Sequence, residues 1–466
     1  MFENDALYQN VVAQERRERT SRGAEEGDTQ HGRANIRGLI VVQLNNFVDN
    51  IWCSSLGVEA ASAVSLVSTL YFFFPSTGAG IGLGMNVSIS NAIGAGDRKR
   101  ADECASQVFA LTAITATLLI PILLLSMGPL YRPDRRNRDQ GPLQGIPVPA
   151  VRPLPLPDLS NVLAEMLRGE GKAGESTVMN IATAATNLIL DPIFIFSLDM
   201  GVAGASWATM LSSVVAVAIG LWFYYSGKTF VKLGFKGIRF KRERIWDVMY
   251  VGTPQVLENN IHSMANLLLM SLIIGCGGAL GLTLYNIPWK TVHLLIVPAM
   301  AIAASMVPII SAARGQKDAD KMKQAYIYAL KMEIALGLAA MLVAFVLGDF
   351  WMYLFSNNGD MVAWHDELVR ILWIYIPFMV FYGLISFGSS LLGALKKSQI
   401  SAATIFIRQV LFIVIIFICC QHDMGWVYWG VTVSEILGGV LMTIISKLEF
   451  RKVYNRIKDE SSGSSS

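Results

Sequence analysis

Asp191 lies in the apolar run "TNLILDPIFIF", four residues after Asn187 and directly before Pro192. On a helix that spacing puts the amide and the carboxylate on one face. The proline removes a backbone donor in the next turn and frees nearby carbonyls for other partners. A second carboxylate, Asp49, sits in "NNFVDNIWCSSLG", again among apolar residues. An Asp at the centre of a spanning helix costs about 2.5–3.5 kcal/mol on insertion scales, so it normally faces a polar cavity and works there. Asp49, Asn187, Asp191 and the hydroxyl of Thr209 together make an oxygen-rich donor set suited to Na⁺. Emptied of a cation, the same carboxylates can carry a proton. The competing structural readings are an outer-end Asp49 that reaches water and an Asp191-Pro192 pair that ends a helix.

The elements that must hold these groups follow from composition. Hydrophobic residues make up 53% of the 466, charged residues 16%, and mean hydropathy is +0.46. That is too apolar for a soluble multidomain protein and implies an all-α protein that crosses the bilayer many times. A net charge of +3 gives no support to a nucleic-acid partner. Cys53, Cys104, Cys276, Cys419 and Cys420 have no metal-like spacing and read as packing residues. Residues 1–34 are polar, with no apolar signal core, and read as a cytoplasmic tail. Apolar stretches of the roughly 20 residues needed to span about 30 Å recur after them. They fall near 35–57, 61–93, 102–128, 175–198, 202–226, 247–275, 279–312, 322–355, 368–394, 399–420 and 425–447.

Charge placement tests this map. Basic residues gather in alternate loops, from Arg98-Lys99-Arg100, through Arg168 and Lys172 and the linker between Lys228 and Arg244, to Arg314, Lys317, Lys396, Lys397 and the tail. The other loops hold Glu59, Asp199, Asp360, Asp366, Glu367 and Asp423, without Lys or Arg. This is a positive-inside pattern with both termini cytoplasmic in a cell membrane, and it holds only if a twelfth crossing lies between Met127 and Arg168. An internal repeat requires the same crossing. "VSISNAIGAGDRKRA" from Val87 resembles "VPIISAARGQKDAD" from Val307, and "MGVAGASWATMLS" from Met200 aligns with "MGWVYWGVTVSEI" from Met424. The repeat implies two six-helix lobes, 35–227 and 247–448, a basic linker at 228–246, a tail at 449–466, and a site between the lobes near the midplane.

The second half offers its own polar set. Glu258 follows Pro254 by four residues, with His262 one turn further, while Lys290 and His293 share a face of the eighth crossing. These four are candidate lining of a substrate cavity. Against that stand snorkelling for Lys290 and ordinary hydrogen-bonded packing for the histidines. Arg408 and Glu435 have the placement of a structural pair between the last two crossings. "GAGIGLG" lies mid-helix and does not fit a dinucleotide fingerprint, "RGEGKAGES" lacks the residues of a P-loop, and "GAGD" runs straight into a basic loop. Enzymatic chemistry gains no support.

The combination of "VDNIWCSSLG", "GAGDRKRA", "MLRGEGK", "NLILDPIF" and "GTPQVLENN" resembles the multidrug and toxic compound extrusion (MATE) family over residues 35–128 and 163–448. The resemblance implies twelve helices in two six-helix lobes and export of small organic, often cationic compounds in exchange for H⁺ or Na⁺, by a monomer without other cofactors. It also implies that Asp49, Asn187, Asp191 and Thr209 match the cation site of the prokaryotic branch that carries this site in its N-terminal lobe. Another branch has an acid eight residues after the seventh-helix proline, where this chain has His262, which argues against a C-terminal cation site. A flippase for lipid-linked sugars and a non-transporting structural or receptor-like membrane protein are the alternatives.

One segment departs from all of this. Eight of the 16 prolines fall between Pro129 and Pro157, and Arg132, Arg135, Arg136, Arg138 and Arg152 violate the charge pattern. Each proline costs about 3 kcal/mol inside a helix. The fourth crossing, at about 131–160, is therefore expected to be disrupted, as if its codons were read out of frame between two compensating shifts. A chain built as written would lack one wall of its first lobe. Translating codons 130–163 in the other two frames is expected to reveal an apolar helix; two polar or interrupted readings would refute this origin.

Overall fold

The computed structural model describes residues 73–127, 156–198, 200–227, 229–234, 240–357 and 359–463, and their regular structure is helical throughout. The first half contributes α1 (Phe73–Gly94), α2 (Arg98–Met127), α3 (Leu156–Gly169), α4 (Ala173–Pro192) and α5 (Gly201–Tyr225). The second contributes α6 (Arg242–Gly315), α7 (Ala319–Ser356), α8 (His365–Tyr375), α9 (Met379–Ala394), α10 (Ser398–Cys419) and α11 (Met424–Gly463). Among the described residues, seven stretches are long and apolar enough to cross a membrane. The tail at 1–34, the first expected crossing with Asp49, and residues 131–155 lie outside the described residues.

With 74 residues, α6 would run about 110 Å if straight, more than three hydrocarbon thicknesses. It instead folds back at Gly278, whose φ of 64° and ψ of −164° suit glycine alone. The two expected crossings at 247–275 and 279–312 are the arms on either side of this turn. Helices α8 and α9 form one crossing, joined by the turn Ile376–Phe378 at Pro377. α11 continues through the expected tail to Gly463, because Phe450 and Ile457 still find buried positions there.

The fourth position is occupied by α3. Its 14 residues cover only about 21 Å, less than a bilayer's hydrocarbon core. It is nonetheless well packed: Val162, Leu163, Met166 and Leu167 are fully buried, and Asn86 on α1 donates to Glu165 Oε2 at 2.9 Å. The expected disruption therefore ends earlier than residue 160. The helix already begins at Leu156, because Pro157 occupies the first turn, where a missing N–H leaves no hydrogen bond unmade.

The core gathers in two large clusters, one from residues 81–248 and one from residues 269–431, and a third where Val87 and Val251 join residues 302–457. At the junction α1 lies against both arms of α6. Ser88 donates to the Asp247 carbonyl at 3.1 Å and Asn91 Nδ2 to the Ser311 carbonyl at 3.2 Å. Close approach here depends on two glycines. A Cβ on Gly94 would stand 2.1 Å from the Ala312 carbonyl oxygen, and one on Gly315 would stand 2.2 Å from that of Asn91. Both obstacles are backbone, so the helices themselves must move, at a cost of about 1–3 kcal/mol. Gly315→Ala is expected to lengthen the distance between spin labels at Lys99 and Lys321, read by pulsed EPR; an unchanged distance distribution would contradict this packing.

Candidate functional site

In the first half, α4 positions Asn187 and Asp191 as their spacing requires. Both are 2% exposed, and Asn187 Nδ2 donates to Asp191 Oδ1 at 3.2 Å. The helix changes character directly afterwards. Residues Ile193–Ser197 form a π-turn in which the Leu198 N–H reaches the Ile193 carbonyl at 2.9 Å. π-turns cluster where a helix is interrupted for function. The start of α5 presses on this break, for a Cβ on Gly204 would lie 2.5 Å from the Phe194 carbonyl carbon. Thr209, on α5, is exposed, and its hydroxyl donates to the Ala205 carbonyl at 3.0 Å. Its own carbonyl accepts from Ser212 and Ser213 at 2.8 Å each. The structure thus brings Asn187 and Asp191 together; Asp49 falls outside the described residues.

The second half holds a larger polar cluster. Glu258, on the first arm of α6, is buried, and its two oxygens accept from Ser389 at 2.6 Å and from Ser401 at 2.7 Å. One turn on, His262 Nδ1 meets Gln409 Nε2 at 2.6 Å. Arg408 Nη1 donates to Glu435 Oε2 at 2.8 Å, the pairing between α10 and α11 that the sequence suggested. Each of these groups has a hydrogen-bonding partner, as burial in an apolar setting demands. Lys290 is exposed, whereas His293 lies close enough to His262 to interact with it electrostatically, its ring edge-on to Tyr382 at 6.0 Å. Nearby, Trp289 is ringed by Tyr285, Tyr375, Phe378 and Tyr382 at 5.4–6.3 Å.

Sequence reading missed Glu333. It is 1% exposed on α7, with neither carboxylate oxygen hydrogen-bonded, and Oε1 fills the space beside Gly383. The signal was a lone acid in the apolar run "KMEIALGLAA". It also missed the closure at the end that carries the basic loops. There Asp247, at the start of α6, accepts from Arg100 Nε at 3.0 Å and from Lys396 Nζ at 2.6 Å, so one carboxylate ties the α2 start to the α9–α10 turn. The linker is strapped to the same end. Glu170 accepts the N–H groups of Phe230 and Val231 at 2.7 and 3.1 Å, and Asp102 accepts that of Lys232 at 2.8 Å. Glu103 pairs with Lys241 at 2.6 Å and Arg244 at 3.0 Å.

Asp247→Asn removes the charge shared by Arg100 and Lys396 and leaves two cations facing each other. It is expected to speed maleimide labelling of a cysteine placed at Asn91, a buried position on α1 beside the second arm of α6; an unchanged rate would show that the ion pairs do not hold this contact shut. The linker carries a pH dependence as well. Burial pushes the Glu170 carboxyl above its usual range, against the backbone N–H bonds that favour the anion. The folded protein therefore binds this proton more tightly than the unfolded chain does. The associated stability is full below the unfolded value of about 4.3 and declines as pH rises through the folded value. Glu170→Gln is expected to flatten that decline in thermal unfolding midpoint; parallel wild-type and variant profiles would exclude it.

Comparison with known proteins agrees with this architecture. The MatE family model matches residues 36–133 and 254–418, more than half of the chain. A protein named FAD transporter from Shewanella oneidensis is 22% identical over 72% of this chain and 76% of its own length. The multidrug export protein MepA of Staphylococcus aureus is 23% identical over 61% of this chain, an alignment spanning 62% of that relative. Among solved structures, a MOP superfamily transporter from Pyrococcus furiosus, described as having a binding pocket of reversed polarity, superposes with a TM-score of 0.84. It is 25% identical and is matched over 92% of this chain and 96% of its own. A crystal structure of MATE in the straight conformation gives a TM-score of 0.85 at 25% identity over 93% of this chain and 97% of that one.

Proposed function

The chain belongs to the MatE family, and on that premise we propose that it is a secondary transporter exporting organic, often cationic compounds in exchange for H⁺ or Na⁺. Two lobes, 35–227 and 247–448 joined by the linker at 228–246, would alternate in exposing a central cavity to the two sides of a cell membrane. The basic end is cytoplasmic in this reading. The packed contact of α1 with α6 and the ion pairs at Asp247 then correspond to a state closed towards the cytoplasm.

The observation that carries the coupling assignment is the buried pair Asn187 and Asp191, held side by side at an interrupted helix. We assign the coupling cation to Asp49, Asn187 and Asp191, with Thr209 as a further oxygen donor. Glu258, His262, Lys290 and His293 are assigned to the second-lobe side of the substrate cavity. Binding of a cation offsets the cost of burying the carboxylates, and it drives the cycle only if the two conformations bind it with different affinity.

The test uses two readouts so that binding and transport are judged separately. Calorimetry of the purified protein measures Na⁺ and H⁺ binding, and proteoliposomes with an imposed Na⁺ or pH gradient report movement of a fluorescent organic cation such as ethidium. Asp191→Asn and Asp49→Asn are expected to weaken cation binding and its coupling to transport by about 5–150-fold, the usual range of coupling energies. Cation binding of wild-type strength in both variants would sink the site assignment. Wild-type binding without gradient-driven movement would point to the segment at 131–155 as the defect.

A further inference from the structure

The internal repeat predicts four equivalent turns at the basic end, and the structure contains them. After α1, α3, α6 and α9 the chain passes through a left-handed residue: Gly96 (φ 73°), Gly171 (φ 78°), Lys317 (φ 56°) and Lys396 (φ 56°). Each is followed by the same closing hydrogen bond, from Asp97 to Ala92, Lys172 to Leu167, Asp318 to Ala313 and Lys397 to Leu392, at 2.7–3.0 Å. This is the helix-ending turn that normally takes glycine, since a side chain there crowds the backbone. The first half uses glycine both times. In the second half both positions are lysine, and among the described residues no other non-glycine residue has positive φ.

Both strained lysines open onto one cavity. It has a volume of about 400 Å³ and lies between the α6–α7 turn, the α9–α10 turn and the end of α11. Arg314, Lys317, Lys396, Lys397 and Arg456 line it, with Glu460 as the one acid. Lys396 is committed to Asp247 at 2.6 Å, and Glu460 is shared by Lys317 at 3.1 Å and Arg456 at 3.2 Å. Arg314 is half-buried, and its recorded hydrogen bond is a long one, 3.5 Å to the Ala394 carbonyl. The cavity therefore holds more positive charge than its own carboxylate can neutralise, in a concave site at the basic end. Tyr250, Val453 and the buried Leu395 and Ile457 form an apolar floor beneath it.

We propose that this cavity is an anion site that binds a phosphate group, with Lys317, Lys397 and Arg456 as the mobile contacts and Arg314 as the fixed one. The apolar floor and the position at the basic end suit the headgroup of an anionic phospholipid, with its glycerol directed towards the bilayer. Glu460 competes for the same cations and so sets the affinity. The site depends on family membership and the basic-end geometry, and stands whether or not the coupling cation is assigned correctly.

The experiment compares wild type with Lys317→Gly, Lys397→Gln and Glu460→Gln in nanodiscs. Lys317→Gly relieves the left-handed strain, so loss of binding in it cannot be ascribed to misfolding. One arm titrates phosphatidylglycerol into phosphatidylcholine discs; the other adds inorganic phosphate against chloride at equal ionic strength in pure phosphatidylcholine. The expected result is a rise in thermal midpoint with phosphatidylglycerol. Lys317→Gly and Lys397→Gln should each shift the midpoint of that titration about fivefold weaker, the usual effect of one basic residue at an anionic surface. Glu460→Gln should shift it the other way. A response to inorganic phosphate alone, lost in the same variants, supports the site with a soluble ligand as its source. No response in either arm would overturn the proposal, and so would a phosphatidylglycerol response weakened equally by Lys232→Gln, a lysine at the same end but outside the cavity.

Discussion

The contact between α1 and the folded-back α6 is the constraint on which the rest of the described structure depends. Within a membrane, helices gain little from hydrophobic exclusion, and association rests on close packing and interhelical hydrogen bonds. Gly94 and Gly315 supply the closeness, and Asn91 and Ser88 supply hydrogen bonds to the partner's carbonyls. Around that seam the other elements fall into place. α3 packs on the far side of α1 through Asn86 and Glu165, and α9 reaches the second arm of α6 where Ser311 donates to the Ala394 carbonyl at 3.2 Å. A single carboxylate, Asp247, then closes the seam at its basic end.

The two halves resolve the burden of buried polar groups differently. In the first half the amide of Asn187 and the carboxylate of Asp191 sit together where Pro192 and the π-turn interrupt the helix. In the second, both Glu258 oxygens accept serine hydroxyls and Arg408 Nη1 donates to Glu435, while the buried Arg408 Nε has no partner. A carboxylate whose oxygens both accept hydroxyls is held in position by them, whereas one at a helix break has backbone neighbours that can rearrange. Glu333 is the one acid of the second half, among the described residues, whose two oxygens are both buried without a hydrogen bond.

Repetition is expressed more clearly in backbone than in sequence. Few identities link the halves, yet the turns after α1, α3, α6 and α9 share one conformation and one hydrogen-bonding scheme. Asp97 and Asp318 even cap the following helices alike, each accepting a backbone N–H at 2.9 Å. Where the halves diverge, glycine against lysine at the left-handed position, the difference is chemical and coincides with a charged cavity present in the second half.

Much of this protein was legible in its residues because the bilayer imposes simple demands. Apolar run length located the crossings that fall among the described residues, basic loops indicated which ends lie together, and the i, i+4 spacing of Asn187 and Asp191 set their shared face, all from local periodicity and charge. The start of α3 escaped such reading, since a proline-rich composition does not reveal that Pro157 occupies a tolerated first-turn position. The partners of Glu258, the ties made by Asp247 and the isolation of Glu333 also escaped, for each joins residues more than a hundred positions apart or depends on which groups fail to meet. Sequence by itself determined the all-α membrane class and the apolar crossings among the described residues, because these depend on local pattern. Tertiary structure alone decided which polar groups are satisfied, which end is closed and where positive charge is left over, because these depend on distances that only packing sets.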